Sequence, residues 1–348
     1  MYSEIVKSKL GDYKISDSYQ DLLESPDENL ILLYDEKITL PPSLQNIKKK
    51  IAVDGSESLK TLDAAKKLIT QLSDLGANRN SHLVAIGGGS VQDISTFVCS
   101  IYMRGIVWTY IPTTLMAMAD SCIGGKSSIN VGTQKNLVGN FYPPRAIIID
   151  YSFTKTLSRP AISCGLFEGV KICAAKSPEL ADEFINESNK WIDSNSEESL
   201  QKLIGLSLTT KKWFIEVDEF DVAERKLLNY GHSFGHALES ATNMQIPHGI
   251  AIGIGMLVAM EFSGNTNETL WNYIMKVLKW SKSDFTNVEF DSAKMIKSLK
   301  NDKKNSQTHQ KLVLPDKNNK IHIAEFQMTE SYLLNQTQIT ERLIRGIK

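Results

Sequence analysis

The chain has 348 residues, of which 42% are apolar and 23% are charged. This length favours two domains over one small core, and the composition is that of a globular protein rather than a disordered one. With 39 basic and 40 acidic side chains the net charge is −1, which provides no general attraction for nucleic acid or for an anionic membrane surface.

The four cysteines are scattered, with no C-x-x-C pair, and residues 1–10 do not resemble a secretory leader. Both features predict a cytoplasmic protein with reduced thiols. The longest apolar runs, such as residues 250–260, fall short of the ~20 residues that a membrane span needs. We therefore expect neither a nucleic acid nor a membrane as a partner.

The first 150 residues alternate β-rich runs with helical patterns. Residue 90 is a serine at the start of one helical pattern, where it is expected to cap the helix together with Asp93. Strand and helix in alternation predict a Rossmann-like α/β domain whose parallel sheet is covered on both faces. The predicted strands are 29–34, 50–53, 82–86, 107–111 and 146–149, and the predicted helices are 58–75 and 90–103.

Helical patterns dominate after residue 150, from about 161 to 280. Residues 311–326 contain two β-rich runs around a turn-rich D-K-N-N and predict a hairpin. A final helix is expected over 330–347. The sequence thus predicts an NAD-binding α/β domain at 1–150, followed by a mainly α-helical metal- and substrate-binding domain at 151–348.

Three consecutive glycines, residues 87–89, stand between a predicted strand and a predicted helix. Free backbone N–H groups and the helix dipole at such a place favour a phosphate, here the pyrophosphate of a dinucleotide. The Rossmann fingerprint is incomplete, because Gln92 stands where its last glycine belongs. The alternative is a tight turn with no ligand.

A second glycine-rich segment, residues 120–130, reads D-S-C-I-G-G-K-S-S-I-N. It is not a P-loop, since Asp120 replaces the leading glycine. Lys126 behind a flexible turn, together with Lys135 and Asn136, is suited to holding a carboxylate or phosphate and to positioning hydroxyls. A solvated polar loop is the alternative.

The stretch 229–249 holds three of the six histidines. His232 and His236 are four residues apart and project from one helical face, and His248 follows Pro247, where a new helix is expected to begin. With Glu168, a carboxylate among apolar neighbours and three residues before Lys171, they form a plausible divalent-metal site. The alternative is a set of satisfied polar side chains near the core.

Arg225 precedes the histidine helix, and Lys211 lies on the helical pattern before it. The pair adds positive charge beside the histidines and suits an anionic ligand. Each residue is alternatively an ordinary surface charge.

The order of these segments resembles that of 3-dehydroquinate synthase and its sugar-phosphate cyclase relatives over about residues 54–304. The segments that carry the likeness are Y-M-R-G-I, I-P-T-T-L, A-D-S-C-I-G-G-K, Q-K-N-L-V-G-N-F-Y-P-P, G-L-F-E-G-V-K and L-L-N-Y-G-H-S-F-G-H-A-L-E. The resemblance implies a cytoplasmic homodimer that uses NAD and a zinc or cobalt ion. Such an enzyme takes a seven-carbon sugar-acid phosphate, oxidises one hydroxyl, eliminates phosphate, returns the hydride and closes a carbocycle by an aldol reaction.

The resemblance also implies a role for each matching residue. As metal ligands it implies Glu168, His232 and His248. As cofactor contacts it implies Asp35, Glu57, Lys60, Gly88, Gly89, Asp93, Thr113 and Thr114. As catalytic residues it implies Lys126, Lys171, Lys211, Arg225, Asn229 and His236, with His236 as a proton shuttle. As substrate contacts it implies Asp120, Lys135, Asn136, one of Lys303 and Lys304, and Arg104, which reaches the phosphate from the second subunit.

The chain departs from the family pattern at several positions. Gln134 replaces a glycine before Lys135, and Ile250 replaces a glutamate after the third metal ligand. Phe167 and Gly169 beside Glu168 are also atypical, and the G-S-E-S-L-K segment has one extra residue.

These departures leave two cyclase functions in view, and the two-domain plan adds a third function. The first is synthesis of 3-dehydroquinate from 3-deoxy-D-arabino-heptulosonate 7-phosphate. The second is a specialised cyclase that acts on sedoheptulose 7-phosphate or glucose 6-phosphate. The third, from another class, is a metal-dependent polyol dehydrogenase, which shares the two-domain plan.

Overall fold

A computed structural model describes residues 3–23, 29–132, 134–285, 287–302 and 305–347. The chain forms two compact units, Met1–Thr156 and Leu157–Lys348. Among the described residues, every helix is too short or too polar to cross a membrane. The roles that the sequence analysis gave to the two halves remain predictions.

The first unit is built on a seven-stranded sheet in the order β1-β2-β9-β6-β5-β3-β4. All neighbouring strands from β2 to β4 in this order run parallel, and β1 alone is antiparallel to its neighbour. The parallel sheet predicted from the alternating pattern is therefore confirmed. The strands are β1 Ser3–Val6, β2 Tyr13–Ser16, β3 Leu30–Asp35, β4 Lys49–Val53, β5 His82–Gly87, β6 Val107–Pro112 and β9 Ala146–Ile148.

Strands β3 and β5 are interior strands of this sheet, and most of their side chains are apolar. Leu30 to Leu33 are all buried, and so is all of β5. Such continuous apolar runs are expected of parallel strands covered on both faces. Strand β5 ends at Gly87, where the glycine turn begins.

The helices of this unit are α1 Gln20–Leu23, α2 Leu62–Asp74 and α3 Gly89–Ile101. Helix α2 begins four residues later than predicted, because the Thr61 side chain accepts a hydrogen bond from the backbone N–H of Ala64 and caps it there. The cap predicted at Ser90 is wrong. Helix α3 is preceded by Gly88, whose lack of a side chain leaves its first N–H groups without a side-chain cap.

Two hairpins of the first unit were absent from the sequence-based prediction. The β1–β2 hairpin adds β2 to the sheet beside β9, which lies about 130 residues further along the chain. A separate hairpin pairs β7 Ile129–Val131 with β8 Gln134–Val138. This second hairpin follows the glycine-rich segment and contains Lys135 and Asn136.

The second unit is mainly helical, as predicted, and its described residues include a hairpin near its end. Helix α8 is apolar on every side, and its residues from Gly249 to Met260 are all buried, which makes it the central helix of the unit. The helices are α4 Arg159–Lys176, α5 Pro178–Ser194, α6 Glu197–Val217, α7 His232–Ala241, α8 His248–Ser263, α9 Glu268–Ser281, α10 Ser292–Lys300 and α11 Glu330–Gly346, and the hairpin pairs β10 His309–Pro315 with β11 Ile321–Gln327.

Candidate functional site

Helices α4, α7 and α8 bring one carboxylate and two imidazoles together. Oε1 of Glu168 lies 3.9 Å from Nε2 of His232 and 3.5 Å from Nε2 of His248. Glu168 is 1% exposed. The three residues that the resemblance implies as metal ligands therefore meet around one buried carboxylate, although each comes from a different helix.

The local sequence explains how the two histidines reach this place. Gly231 precedes α7 with φ of 77°, and a β-carbon there would lie 2.8 Å from the carbonyl oxygen of Ile252. Only glycine fits both the left-handed backbone and the close approach of α8. Pro247 stands before α8, so His248 is the first residue of that helix, as the sequence predicted.

Each of the two imidazoles also forms a hydrogen bond at Nδ1, the ring nitrogen that does not face Glu168. The distance is 3.4 Å from His232 to the carbonyl oxygen of Tyr230 and 3.3 Å from His248 to Oε2 of Glu239. A carbonyl oxygen accepts hydrogen bonds and cannot donate them, so the Nδ1 of His232 carries the hydrogen. Its Nε2 is then the nitrogen with a free lone pair, which faces Glu168.

The electrostatic setting differs between the two imidazoles. Burial lowers the pKa of His232 well below its ordinary value, and the nearby charge of Lys171 lowers it further. Burial also acts to lower the pKa of His248, but hydrogen bonds and charges from Glu168 and Glu239 outweigh it and raise that pKa to about 10. The place between the two carboxylates thus stabilises positive charge.

These residues fit a divalent cation by donor type and by spacing. Two imidazole nitrogens and a carboxylate oxygen suit zinc or cobalt, and a tetrahedral zinc site has neighbouring ligand atoms about 3.3 Å apart. The separations of 3.5 and 3.9 Å are close to that value. A small inward movement of the side chains would complete the contacts.

His236 also lies beside these residues. Its ring is 5.2 Å from that of His232 and 5.5 Å from that of His248, centre to centre, and it stacks on the latter. One nitrogen from each of the three rings falls within 4.8 Å of the other two, so a cation bound by three imidazoles is an alternative on geometry alone. His236 is exposed, whereas His232 and His248 are partly buried.

Three cations of the second unit are buried rather than on the surface. Lys171 is 2% exposed, Lys211 is 6% exposed and Arg225 is 3% exposed. Lys171 forms an ion pair with Glu168, the partner proposed from the sequence. Cationic side chains in a buried setting bind anionic groups strongly, so each of the three suits an anionic ligand.

Arg225 is held in place by the loop that precedes it. The Asp218 carboxylate accepts hydrogen bonds from the backbone N–H groups of Val222, Ala223 and Arg225. Burial acts to raise the pKa of Asp218, but these three bonds outweigh it and lower that pKa. Asn229 ends the same segment, and its side-chain amide donates to the carbonyl oxygen of Lys226 over 3.0 Å.

In the first unit, Lys60 is the centre of a polar network. Its ammonium group lies 2.9 Å from Asp93, 2.9 Å from the amide oxygen of Asn136 and 3.4 Å from Glu57. Asp93 also accepts from the backbone and the hydroxyl of Ser128, each at 2.9 Å. Three of the implied cofactor contacts and one implied substrate contact are therefore brought together here.

This network also explains why the predicted capping role of Asp93 is wrong. Its carboxylate turns toward Lys60 and Ser128 rather than toward the helix terminus. Burial raises the pKa of Asp93, while Lys60 and Ser128 act to lower it.

The other implied cofactor contacts lie at the carboxyl ends of parallel strands, where ligands of open α/β sheets bind. Asp35 ends β3, and Gly88 and Gly89 follow β5. Thr113 follows β6, and its backbone N–H donates to the carbonyl oxygen of Gly87 over 3.0 Å. Thr114 stands next to it, with its methyl group against Gly88.

The implied anion contacts of the first unit are spread over several segments. Asp120 lies in a π-helical turn, Ala117–Ser121, and Lys126 stands 5.8 Å above the ring of Phe141. Lys135 and Arg104 are exposed. The implied contacts Lys303 and Lys304 lie outside the described residues.

Sequence reasoning missed residues that hold these groups in place. Glu239 was missed although it is seven residues after His232, a spacing that returns to the same helical face. The hydroxyl of Tyr13, on the unpredicted strand β2, accepts from the backbone N–H of Gly124 over 2.9 Å and supports the segment before Lys126. No local signal marks Tyr13.

Two family models match the chain. One is described as 3-dehydroquinate synthase N-terminal and matches residues 50–164, and the other is described as 3-dehydroquinate synthase C-terminal and matches residues 165–305. The 3-dehydroquinate synthase of Clostridium tetani is 37% identical over 252 residues, which cover 72% of this chain and 67% of that protein.

Solved structures share the fold over nearly the whole chain. The 2-deoxy-scyllo-inosose synthase complexed with carbaglucose-6-phosphate, NAD+ and Co2+ has a TM-score of 0.81 at 22% identity and covers 98% of this chain and 100% of its own. The 2-epi-5-epi-valiolone synthase from Streptomyces hygroscopicus subsp. jinggangensis, with NAD+ and Zn2+ bound, has a TM-score of 0.81 at 21% identity, with coverage of 97% and 99%. At these identities the likeness establishes the fold.

Proposed function

Because the chain belongs to the 3-dehydroquinate synthase family, whose members are carbon–oxygen lyases acting on phosphates, we propose that it converts 3-deoxy-D-arabino-heptulosonate 7-phosphate to 3-dehydroquinate and phosphate. The observation that carries this proposal is the convergence of Glu168, His232 and His248, with buried Lys171 and Arg225 in the same unit. A cation site and an anion site together suit a substrate that carries hydroxyl, carboxylate and phosphate groups.

The proposed cofactors are NAD and one divalent ion, zinc or cobalt. Glu168, His232 and His248 would hold the ion, and Lys60, Asp93 and the glycine turn would contact the dinucleotide. When bound, NAD supplies a reversible hydride acceptor, and the ion supplies a Lewis acid for a substrate hydroxyl.

The side chains of the protein bind, orient and move protons. Lys211 and Arg225 hold anionic groups of the substrate in a buried setting, where such contacts are stronger than in water. His236, exposed beside the two other imidazoles, is suited to take and return a proton at a ring nitrogen. Asn229 and Asn136 orient hydroxyl groups, which keeps the flexible intermediate in the conformation that cyclises.

A second copy of the chain is part of the proposal. Arg104 is exposed, and Ile101, Met103 and Val107 beside it are 46%, 47% and 43% exposed. Apolar side chains around an implied phosphate contact fit a surface that a partner subunit covers. Sedimentation of the purified chain as a monomer would contradict the homodimer. The cytoplasmic location stays a prediction.

A specialised cyclase is the second candidate. Ile250 is fully buried in α8, two residues after the start of the helix, where the resemblance leads one to expect a glutamate. An apolar side chain at this position changes the polarity next to His248 and favours a different substrate. Gln134 lies on β8 directly before Lys135, where it changes a second implied substrate segment.

The experiment compares phosphate release from three substrates by the purified chain with zinc and NAD. We expect release from 3-deoxy-D-arabino-heptulosonate 7-phosphate, a product with the mass of 3-dehydroquinate, and no net NADH. Release from sedoheptulose 7-phosphate or glucose 6-phosphate instead would establish the second candidate. Steady NADH formation from simple polyols would establish a dehydrogenase.

Two adjacent lysines provide a matched test of the anion site. Lys211→Met removes a buried cation, and we expect it to lower kcat/KM about a hundredfold. Lys212→Met alters the neighbouring, more accessible side chain and should leave kcat/KM within about twofold. Equal effects of the two substitutions would refute a specific role for Lys211.

A further inference from the structure

Glu239 lies on the helical face that carries two of the three imidazoles. His232, His236 and Glu239 are spaced four and three residues apart on α7, so their side chains project from one side of that helix. The Glu239 side chain is 13% exposed. A carboxylate with so little access to water needs a partner that compensates for its lost hydration.

One such partner is His248, which belongs to the next helix. Oε2 of Glu239 lies 3.3 Å from Nδ1 of His248, and Oε1 of Glu168 lies 3.5 Å from Nε2 of the same ring. The two ring nitrogens point in different directions, so the imidazole stands between the two carboxylates. Glu168 is on the side of the other implied ligand, His232, and Glu239 is on the far side.

The two implied histidine ligands are supported by different chemical groups. His232 is supported by a backbone carbonyl, that of Tyr230, which no substitution removes. His248 is supported by a side chain. Ligating histidines of metal sites commonly donate their second N–H to a carboxylate or carbonyl, which fixes the tautomer and makes the ligand more basic.

We propose that Glu239 is a positioning residue for the cation site. It accepts the hydrogen bond from Nδ1 of His248 and so fixes the tautomer and the ring plane that direct Nε2 toward the cation. The inference rests on the proposed function, because it requires a divalent ion bound by Glu168, His232 and His248. Glu239 itself does not touch the ion.

The test measures the zinc dissociation constant of the full chain by competition with a chromophoric chelator. We expect Glu239→Ala to weaken zinc binding about 10- to 100-fold. Glu239→Gln keeps an oxygen that accepts from Nδ1, so it should recover part of that loss. The matched control is Glu261→Gln, since Glu261 lies far along α8 and pairs with Arg342; its zinc affinity should stay within about twofold of wild type.

A second readout separates positioning from direct ligation. The visible spectrum of the cobalt-loaded chain reports the ligand set, so Glu239→Gln should keep the wild-type band positions while Glu168→Gln shifts them. A shift with Glu239→Gln equal to that with Glu168→Gln would make Glu239 a ligand and overturn the inference. Circular dichroism identifies a variant that fails to fold. The zinc affinity of the other Glu239 variant then tests the proposal.

The inference and the proposed function fail in different ways. Wild-type zinc binding with unchanged affinity in both Glu239 variants would overturn the inference alone. A wild-type chain that binds no zinc would overturn the cation site and the inference together.

Discussion

The candidate cation site and the Lys60 network are both built from charged side chains, but their charges are arranged in opposite ways. Around Lys60, an ammonium group is surrounded by Asp93, Glu57 and the amide oxygen of Asn136. At the cation site, Glu168 faces the Nε2 atoms of two imidazoles, and further acceptors hold the far sides of these rings.

The difference shows what each region needs from a ligand. In the Lys60 network the protein supplies both signs of charge, so the network stabilises the first unit and a ligand must exchange bonds with it. At the cation site the atoms that would bind a metal ion lie close together, and the Nδ1 hydrogen bonds support the two imidazoles from their opposite sides. Such a site holds its donors in place before an ion binds, and an ion must share the Glu168 carboxylate with Lys171.

The largest expected effect comes from removing the carboxylate of the cation site. Glu168→Gln keeps the shape but takes away a ligand charge and the ion pair with Lys171. We expect a loss of about 4 kcal/mol in transition-state stabilisation, or about a thousandfold in kcat/KM, with much weaker zinc binding. Kinetics and chelator competition measure both effects.

The control for Glu168→Gln is Glu183→Gln, which changes an exposed glutamate of α5. It should leave zinc affinity and kcat/KM near their wild-type values. Normal zinc binding by Glu168→Gln would show that the three imidazoles alone hold the ion and would remove the contrast between the two regions.

The next effect concerns stability rather than turnover. Lys60→Met leaves Asp93 and Glu57 near one another without the ammonium group between them. Breaking a mostly buried ion pair should lower the free energy of unfolding by about 3 kcal/mol and weaken NAD binding about tenfold. Urea unfolding and a binding titration measure these changes.

Lys66→Met is the matched control, because Lys66 is exposed on the neighbouring helix α2. Its free energy of unfolding should change by about 0.5 kcal/mol or less. An equal, small effect of both substitutions would mean that Lys60 contributes no more to the free energy of unfolding than an exposed lysine does.

The smallest expected effect is on the pH dependence of stability, and it comes from a histidine that belongs to neither of the two regions. His82 is buried and lies 2.8 Å from the hydroxyl of Thr109, and burial lowers its pKa to about 4. The folded chain therefore holds this ring neutral, whereas the unfolded chain protonates it below about pH 6.5. Stability from His82 is present above pH 6.5 and is lost as the pH falls toward 4.

Between pH 7 and pH 5 this group should lower the free energy of unfolding by about 2 kcal/mol. His82→Gln keeps hydrogen-bonding capacity without the titration, so its stability should fall less over the same range. Parallel curves of stability against pH for the two proteins would contradict the assigned pKa shift.

The parts of the fold that the sequence predicted are those with strong local patterns. The apolar runs of β3 and β5 predicted strands, and Pro247 predicted that α8 begins at His248. The spacing of His232 and His236 placed them on one helix. These features depend on residues that are close in sequence, so they can be predicted without knowledge of distant contacts.

The errors and omissions depend on distant contacts. Asp93 was expected to cap α3, but Ser128, 35 residues later, and Lys60 bind its carboxylate. Strand β2 joins the sheet through β9, and nothing in residues 13–16 marks that pairing. Glu239 had a local signal, since its spacing from His232 and His236 was present in the sequence. Its importance became visible only when α8 brought His248 beside it.

The most direct test of the account is a crystal structure of the chain with zinc and NAD, with the ion located by its anomalous scattering. We expect one zinc peak bonded to the Glu168 carboxylate and to the Nε2 atoms of His232 and His248, with Glu239 still on the Nδ1 side of His248. A zinc peak bonded to His236 in place of Glu168, or located away from these three residues, would contradict it.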